Sequence, residues 1–198
     1  MNALQEIQKA ISESIFVKQK LLGLSYLKQI SKIADLIFQS LKNGKKLLIC
    51  GNGGSAADAQ HTAAELVNRF KIDRKPIAAI ALTTDTSILT SIANDYDYQQ
   101  VFKKQVEALG RRGDILLALS TSGRSKNVLE AVKAAKKIGI KTIGFTGSGV
   151  SPLSNQVHLS FRIPSFEVAR TQEAHLLTIH IICDLIERRL CGGLHVSR

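Results

Sequence analysis

Apolar positions follow two rhythms along the chain. Over residues 3–44 they recur at helical spacing, with Leu27, Ile30, Ile33, Ala34, Ile37 and Leu41 on one face and Asn43-Gly44 as a stop, which predicts two helices. From Lys46 onward the rhythm becomes short apolar runs, each followed by a helical stretch. Residues 46–50 lead into Gly51-Asn52-Gly53-Gly54-Ser55 and a helix to about Phe70. Residues 77–82 lead into another helix, and residues 114–119 into a serine-rich loop and a helix to about Lys137. Residues 141–145 and 157–163 supply two more runs, the second closed by Pro164, before a last helix over residues 168–190. Apolar runs of this length alternating with helices predict parallel strands buried on both faces.

The fold class expected is therefore α/β, a three-layer αβα sandwich around a five-stranded parallel sheet, preceded by an N-terminal helical hairpin. No linker, repeat or low-complexity stretch divides the chain. The expected layout is one domain over residues 1–198, with the hairpin at 1–44, the αβα core at 45–192 and a tail at 193–198. An amphipathic hairpin without a strand of its own needs a surface to cover, and a neighbouring subunit would provide one.

Composition narrows the classes. The chain has 198 residues and is 44% hydrophobic, too apolar for disorder, while no apolar stretch nears the ~20 residues of a membrane span. The N-terminus has no basic region followed by an apolar block, and the three cysteines, Cys50, Cys183 and Cys191, form no CxxC pair. Both features point to a reduced, cytoplasmic protein. The net charge of +11 suits an anionic partner, and its spread along the chain with 5% aromatics favours a small anionic substrate over nucleic acid.

The candidate chemistry lies in loops that follow strands, where open parallel sheets bind ligands. Gly51 to Ser55 follows the first strand and opens a helix, offering close backbone approach and unpaired N–H groups. Ser120-Thr121-Ser122-Gly123-Arg124-Ser125 follows the third strand, and four hydroxyls around one glycine make a cradle for a phosphate monoester. Helix capping alone needs one such residue. Gly51, Gly53 and Ala56 also fit a dinucleotide pattern, but no acidic residue stands at the required distance, and the next helix carries Asp58, His61 and Glu65, so no nucleotide cofactor is expected. His61 and Glu65, four apart, share a helix face. The last helix carries Gln172, Glu173, His175 and His180. His180 lies in an apolar run, as a satisfied core histidine does. Gln172 and His180 are separated by about 12 Å along an ideal helix and about 80° around it, so one metal would need long reach, a distorted turn or ligands from two subunits.

Taken together, Cys50 to Ser55, His61 with Glu65, Ala93-Asn94-Asp95, Ser120 to Gly123 with Ser125, and Gln172-Glu173 with His180 resemble the bacterial phosphoheptose isomerases of the sugar-isomerase (SIS) superfamily. The resemblance runs in one register through nearly the whole chain. It implies an SIS fold with flavodoxin-like strand order and a cytoplasmic homotetramer with active sites near subunit interfaces. The implied activity converts sedoheptulose 7-phosphate to D-glycero-D-manno-heptose 7-phosphate, a ketose–aldose isomerisation that opens synthesis of nucleotide-activated heptose for lipopolysaccharide core or surface glycans. By motif, Asn52, Gly53, Gly54, Ser55, Ser120, Thr121, Ser122 and Ser125 would hold the sugar phosphate, with Asn94, Asp95, Glu65 and Gln172 also on the substrate. Glu65 and His180 would be catalytic, and His61, Glu65, Gln172 and His180 would bind one zinc per subunit. Arg124 and Lys126 flank the serine loop without an assigned role, and Ala169 stands where some isomerases carry an aspartate. Two alternatives share the fold: a non-enzymatic protein that binds the replication initiator, which lacks the acid and histidine matching Glu65 and His180, and an isomerase for another sugar phosphate.

Overall fold

A computed structural model describes residues 2–191. The expected tail at 193–198 and the last residue of the expected core lie outside them. The hairpin forms as α1 (Ala3–Lys20) and α2 (Leu24–Lys42). The remaining elements are β1 (Leu47–Cys50), α3 (Gly54–Val67), β2 (Ala79–Ala81), α4 (Thr86–Asp95), α5 (Val101–Leu109), β3 (Ile115–Leu119), α6 (Lys126–Ile138), β4 (Lys141–Thr146), α7 (Pro152–Gln156), β5 (Leu159–Arg162) and α8 (Val168–Leu190). The five strands pair in parallel in the order β2-β1-β3-β4-β5, the flavodoxin-like order expected.

Alternation along each strand builds a core on both faces. Leu47 and Ile49 of β1 join Ile115, Leu117 and Phe145 under α2, α3 and α8. Leu48 and Cys50 face the other way, with Leu116, Ala118, Val106, Val128 and Val132 beneath α5 and α6. Because β1 lies between β2 and β3, chain order reverses there, and the loops after β1 and β3 open side by side at the crevice where such sheets bind ligands.

Three local features depart from the periodicity. The single helix expected after β2 is two helices joined by a 3₁₀ turn, Tyr98–Gln100. The short helix α7 was not expected; Pro at its start and a reciprocal Ser151–Ser154 capping box specify it, and five residues carry no helical period. Helix α3 stops at Val67 rather than near Phe70, because Arg74 folds back to take the carbonyls of Glu65 (2.8 Å) and Leu66 (2.7 Å). The hairpin divides in burial: α2 buries Ile30, Ile33, Ala34 and Ile37 within its own chain, whereas α1 buries Val17 alone and leaves Leu4, Ile7, Ile11, Ile15 and Phe16 exposed.

Candidate active site

The glycine loop turns tightly from β1 into α3. A methyl group on Gly51 would lie 2.7 Å from the Ser55 carbonyl oxygen, and Gly53 takes φ +55°, the left-handed side that favours glycine. No side chain caps α3; Ser55 N and Ala56 N turn back to the Asn52 and Gly53 carbonyls, and the N–H of Gly54 is left to face an anion. The serine loop is built alike. Gly123 takes φ +63°, its carbonyl accepts from Leu153 N (3.0 Å), and Thr121 O accepts from Gly147 N (2.8 Å). Ser120 and Ser125 join through their hydroxyls at 3.0 Å, Ser122 Oγ accepts from Arg124 N at 3.2 Å, and no side chain caps α6. The hydroxyls are therefore not spent on capping, the competing explanation for a serine-rich helix start. Arg124 and Lys126 are exposed beside the loop.

One pair of amides ties the two loops together. Asn127 Nδ2 donates to Asn52 Oδ1 (2.8 Å), Asn52 Nδ2 donates to Asn127 Oδ1 (2.9 Å), and the Tyr98 hydroxyl donates to Asn52 Oδ1 (3.3 Å). Asn127 escaped the sequence reading. Its signal was a polar residue on the face of α6 that otherwise buries Val128, Ala131, Val132 and Ala135.

Helices α3 and α8 run in parallel and bring three distant groups together. His61 Nε2 lies 2.9 Å from Glu65 Oε1 and 3.2 Å from His180 Nε2, and all three ligand atoms fall within 4.8 Å of one another. One chain thus assembles this cluster without a second subunit. His180 is partly covered by Phe70, whose ring lies 5.5 Å from the imidazole at 32°. Burial, with His61 and Lys71 and against the pull of Glu65, holds the His180 imidazole below its usual value. The core histidine is His175 instead, although its buried Nδ1 has no hydrogen-bond partner among the described residues. It is fully buried against Phe145, has Nε2 3.3 Å from Thr146 O, and is lowered to about 4 by burial, against the hydrogen bond to that carbonyl.

The donor set fits a metal ion. His61 Nε2 carries at most one proton and faces both a carboxylate and a second imidazole nitrogen, whereas a cation among the three satisfies all of them. The two spacings from His61 Nε2, 2.9 and 3.2 Å, lie close to the ~3.3 Å expected between ligands at ~2.05 Å from tetrahedral zinc. Gln172 stands elsewhere. Its amide packs on Gly54, where an added Cβ would lie 2.5 Å from Nε2, so it sits with the loops at the start of α3, about 10 Å of helix rise before His61. Asn94 and Asp95 end α4 exposed, with Asn94 Nδ2 donating to Asp95 Oδ1 at 2.9 Å. Ala169 is exposed and offers no polar group. Asp58, on the inner face of α3, keeps Oδ2 buried without a partner, and burial, opposed by His61, pushes its carboxyl up to about 6.

The chain matches a model of the SIS domain over residues 24–147. A phosphoheptose isomerase of Clostridium acetobutylicum is 50% identical over 187 residues, covering 94% of this chain and 95% of that protein. One from Aquifex aeolicus is 47% identical over 188 residues, covering 95% and 98%. Among solved structures, a phosphoheptose isomerase from Francisella tularensis superposes with a TM-score of 0.91 at 39% identity, over 95% of this chain and 100% of that one. Its counterpart from Neisseria gonorrhoeae gives 0.88 at 44% identity, over 93% and 98%.

Proposed function

Since the chain belongs to the SIS-domain phosphoheptose isomerases, we propose that it interconverts sedoheptulose 7-phosphate and D-glycero-D-manno-heptose 7-phosphate with Glu65 and His180 as its proton-transfer pair. The observation that carries the assignment is the meeting of the His61, Glu65 and His180 side chains across 119 residues of sequence. Ketose–aldose isomerisation moves a proton between neighbouring carbons through an enediol, which requires a base at carbon and an acid at the adjoining oxygen. Glu65 takes the proton from C1 of the ketose, and His180 serves the oxygens. An imidazole held below its usual value donates its one N–H without first carrying a full charge.

The 7-phosphate lies against Asn52, Gly53, Gly54, Ser55, Ser120, Thr121, Ser122 and Ser125. The open N–H groups and hydroxyls of the two loops meet its charge there. Gln172 and the Asn94–Asp95 pair contact the sugar. Zinc, one per subunit, is the metal we assign to His61, Glu65 and His180, with Gln172 seated apart from them on Gly54; when bound it would polarise a carbonyl as a Lewis acid. The exposed apolar row on α1 supports a homotetramer with active sites near its interfaces. Among the described residues no helix is long and apolar enough to cross a membrane, and we place the protein in the cytoplasm, at the head of heptose supply for lipopolysaccharide or other surface glycans.

The test is turnover of sedoheptulose 7-phosphate by wild type, Glu65→Gln and His180→Gln. Each substitution is expected to cost ~10²-fold or more in kcat with the fold retained. Full activity in either variant removes that residue from the mechanism. An inactive wild type overturns the reading.

A further inference from the structure

Glu187 lies two turns beyond His180 on α8 and is wholly buried. Its Oε1 accepts from Phe70 N (2.9 Å) and Arg74 Nε (3.0 Å), and its Oε2 from Lys71 N (2.7 Å) and Ile72 N (2.9 Å). Arg74, itself buried, turns its other nitrogens to the end of α3. Nη2 donates to Glu65 O at 2.8 Å, and Nη1 to Leu66 O at 2.7 Å, Asn68 O at 3.3 Å and Lys75 O at 3.2 Å. One ion pair thus grips the backbone of Glu65 at one end and that of Phe70, whose ring rests on His180, at the other.

From this connection we infer that Arg74 and Glu187 are positioning residues for the His61–Glu65–His180 cluster. The inference rests on the proposed roles of Glu65 and His180. A buried ion pair is a poor source of net stability, because removing two charges from water costs about what their attraction returns, and apolar side chains would pack this space as well. What apolar packing does not supply is a fixed axial offset between two parallel helices. The cluster needs one: His61 and Glu65 ride on α3 and His180 on α8, and their ligand atoms meet within 4.8 Å. Four donors on one carboxylate and four carbonyls on one guanidinium lock α3 to α8 through the Phe70–Arg74 loop. Burial alone would raise the Glu187 carboxyl, but the three backbone N–H groups and Arg74 hold it below the usual carboxylate range, so the lock stays charged. The phosphate-binding loops sit at the opposite end of α3 and do not touch it.

The experiment compares Arg74→Lys, which keeps the charge but loses the fork, Glu187→Gln and Phe70→Leu with wild type. Three readouts are taken: steady-state kinetics on sedoheptulose 7-phosphate, affinity for inorganic phosphate, and long-range ¹H–¹⁵N spectra of the imidazoles. Arg74→Lys is expected to lower kcat about 10- to 100-fold, the range for a displacement near 1 Å, with KM and phosphate affinity within about twofold. The His61 and His180 ring signals move while those of His158 and His175 stay. In a Glu65→Gln background the same substitution adds little further loss. Unmoved His61 and His180 signals in folded Arg74→Lys protein overturn the inference, as does a parallel loss of phosphate affinity and kcat, the mark of general loosening. If Glu187→Gln does not fold, Arg74→Lys and Phe70→Leu carry the test. Shifted imidazoles in a chain whose wild type does not turn over the sugar uphold the lock and refute the proposed function, so the two failures are separable.

Discussion

Replacing Gly54 with alanine separates the role of Gln172 from the stability of the fold. Gly54 is the first residue of α3 and has no positive φ, so its backbone accepts a side chain. The new Cβ would lie 2.5 Å from Gln172 Nε2, 2.8 Å from Cδ and 2.9 Å from Oε1, and only the far end of that flexible side chain has to give way. Alanine gains up to about 1 kcal/mol over glycine in a helix, less in a first turn, and re-seating one glutamine costs a similar amount. Melting temperature is therefore expected to stay within about 4 °C of wild type. Activity is not spared. An amide hydrogen bond to substrate contributes roughly 0.5–1.5 kcal/mol, or 1.5–3 where a charge is involved, so kcat/KM should fall roughly 3- to 100-fold. Gly51→Ala is the control. Its Cβ meets the Ser55 carbonyl oxygen at 2.7 Å and carbonyl carbon at 2.9 Å, backbone that cannot swing aside, and stability should drop about 1–3 kcal/mol. In a Gln172→Ala background, where no amide remains to displace, Gly54→Ala should cost nothing more. Full activity in Gly54→Ala, or destabilisation equal to that of Gly51→Ala, would refute the reasoning.

Two buried groups set opposing pH dependences. The Asp58 carboxyl rises from 3.8 to about 6, so the fold binds its proton more tightly, and the stability this lends is full below pH 3.8 and lost as pH rises through 6. His175 falls from 6.5 to about 4, so its contribution is full above pH 6.5 and lost as pH falls through 4. Relative to wild type, Asp58→Asn should lose roughly 1–3 kcal/mol more unfolding free energy on acidification from about pH 6.5 to 4; parallel titrations in urea would refute this. Asn127→Ala leaves Asn52 Nδ2 without its acceptor and unties the two loops, and calorimetry should find phosphate bound about tenfold more weakly, while unchanged affinity would reduce the amide pair to a packing feature.

The sheet was legible because its strands are buried on both faces and read as unbroken apolar runs. The bounds of α8 came through because 23 residues hold their period from end to end. The short helix before β5 did not, since five residues express no rhythm against their neighbours, and the division of the helix after β2 was hidden because the turn between its halves is three residues long. Within the site, the loops and the His61–Glu65 pair were visible from local spacing. The apolar run around His180 suggested a core histidine, and only the parallel packing of α3 on α8 turns its ring toward His61. Glu187 sits in a similar run, and no residue pattern announces its role, because three of its four donors are main-chain N–H groups shared by every sequence. Gln172 was linked by motif to the histidines, yet the fold seats it on Gly54, since neighbours in contact are set by where two helices cross.

The most direct test of the proton-transfer pair is exchange of the C1 proton of sedoheptulose 7-phosphate with deuterated solvent, followed by NMR. Wild type should wash deuterium into C1, while Glu65→Gln, saturated with the same sugar and still binding inorganic phosphate, should exchange at least ~10²-fold more slowly. Exchange at the wild-type rate with that carboxylate gone would contradict the assignment of Glu65 as the base.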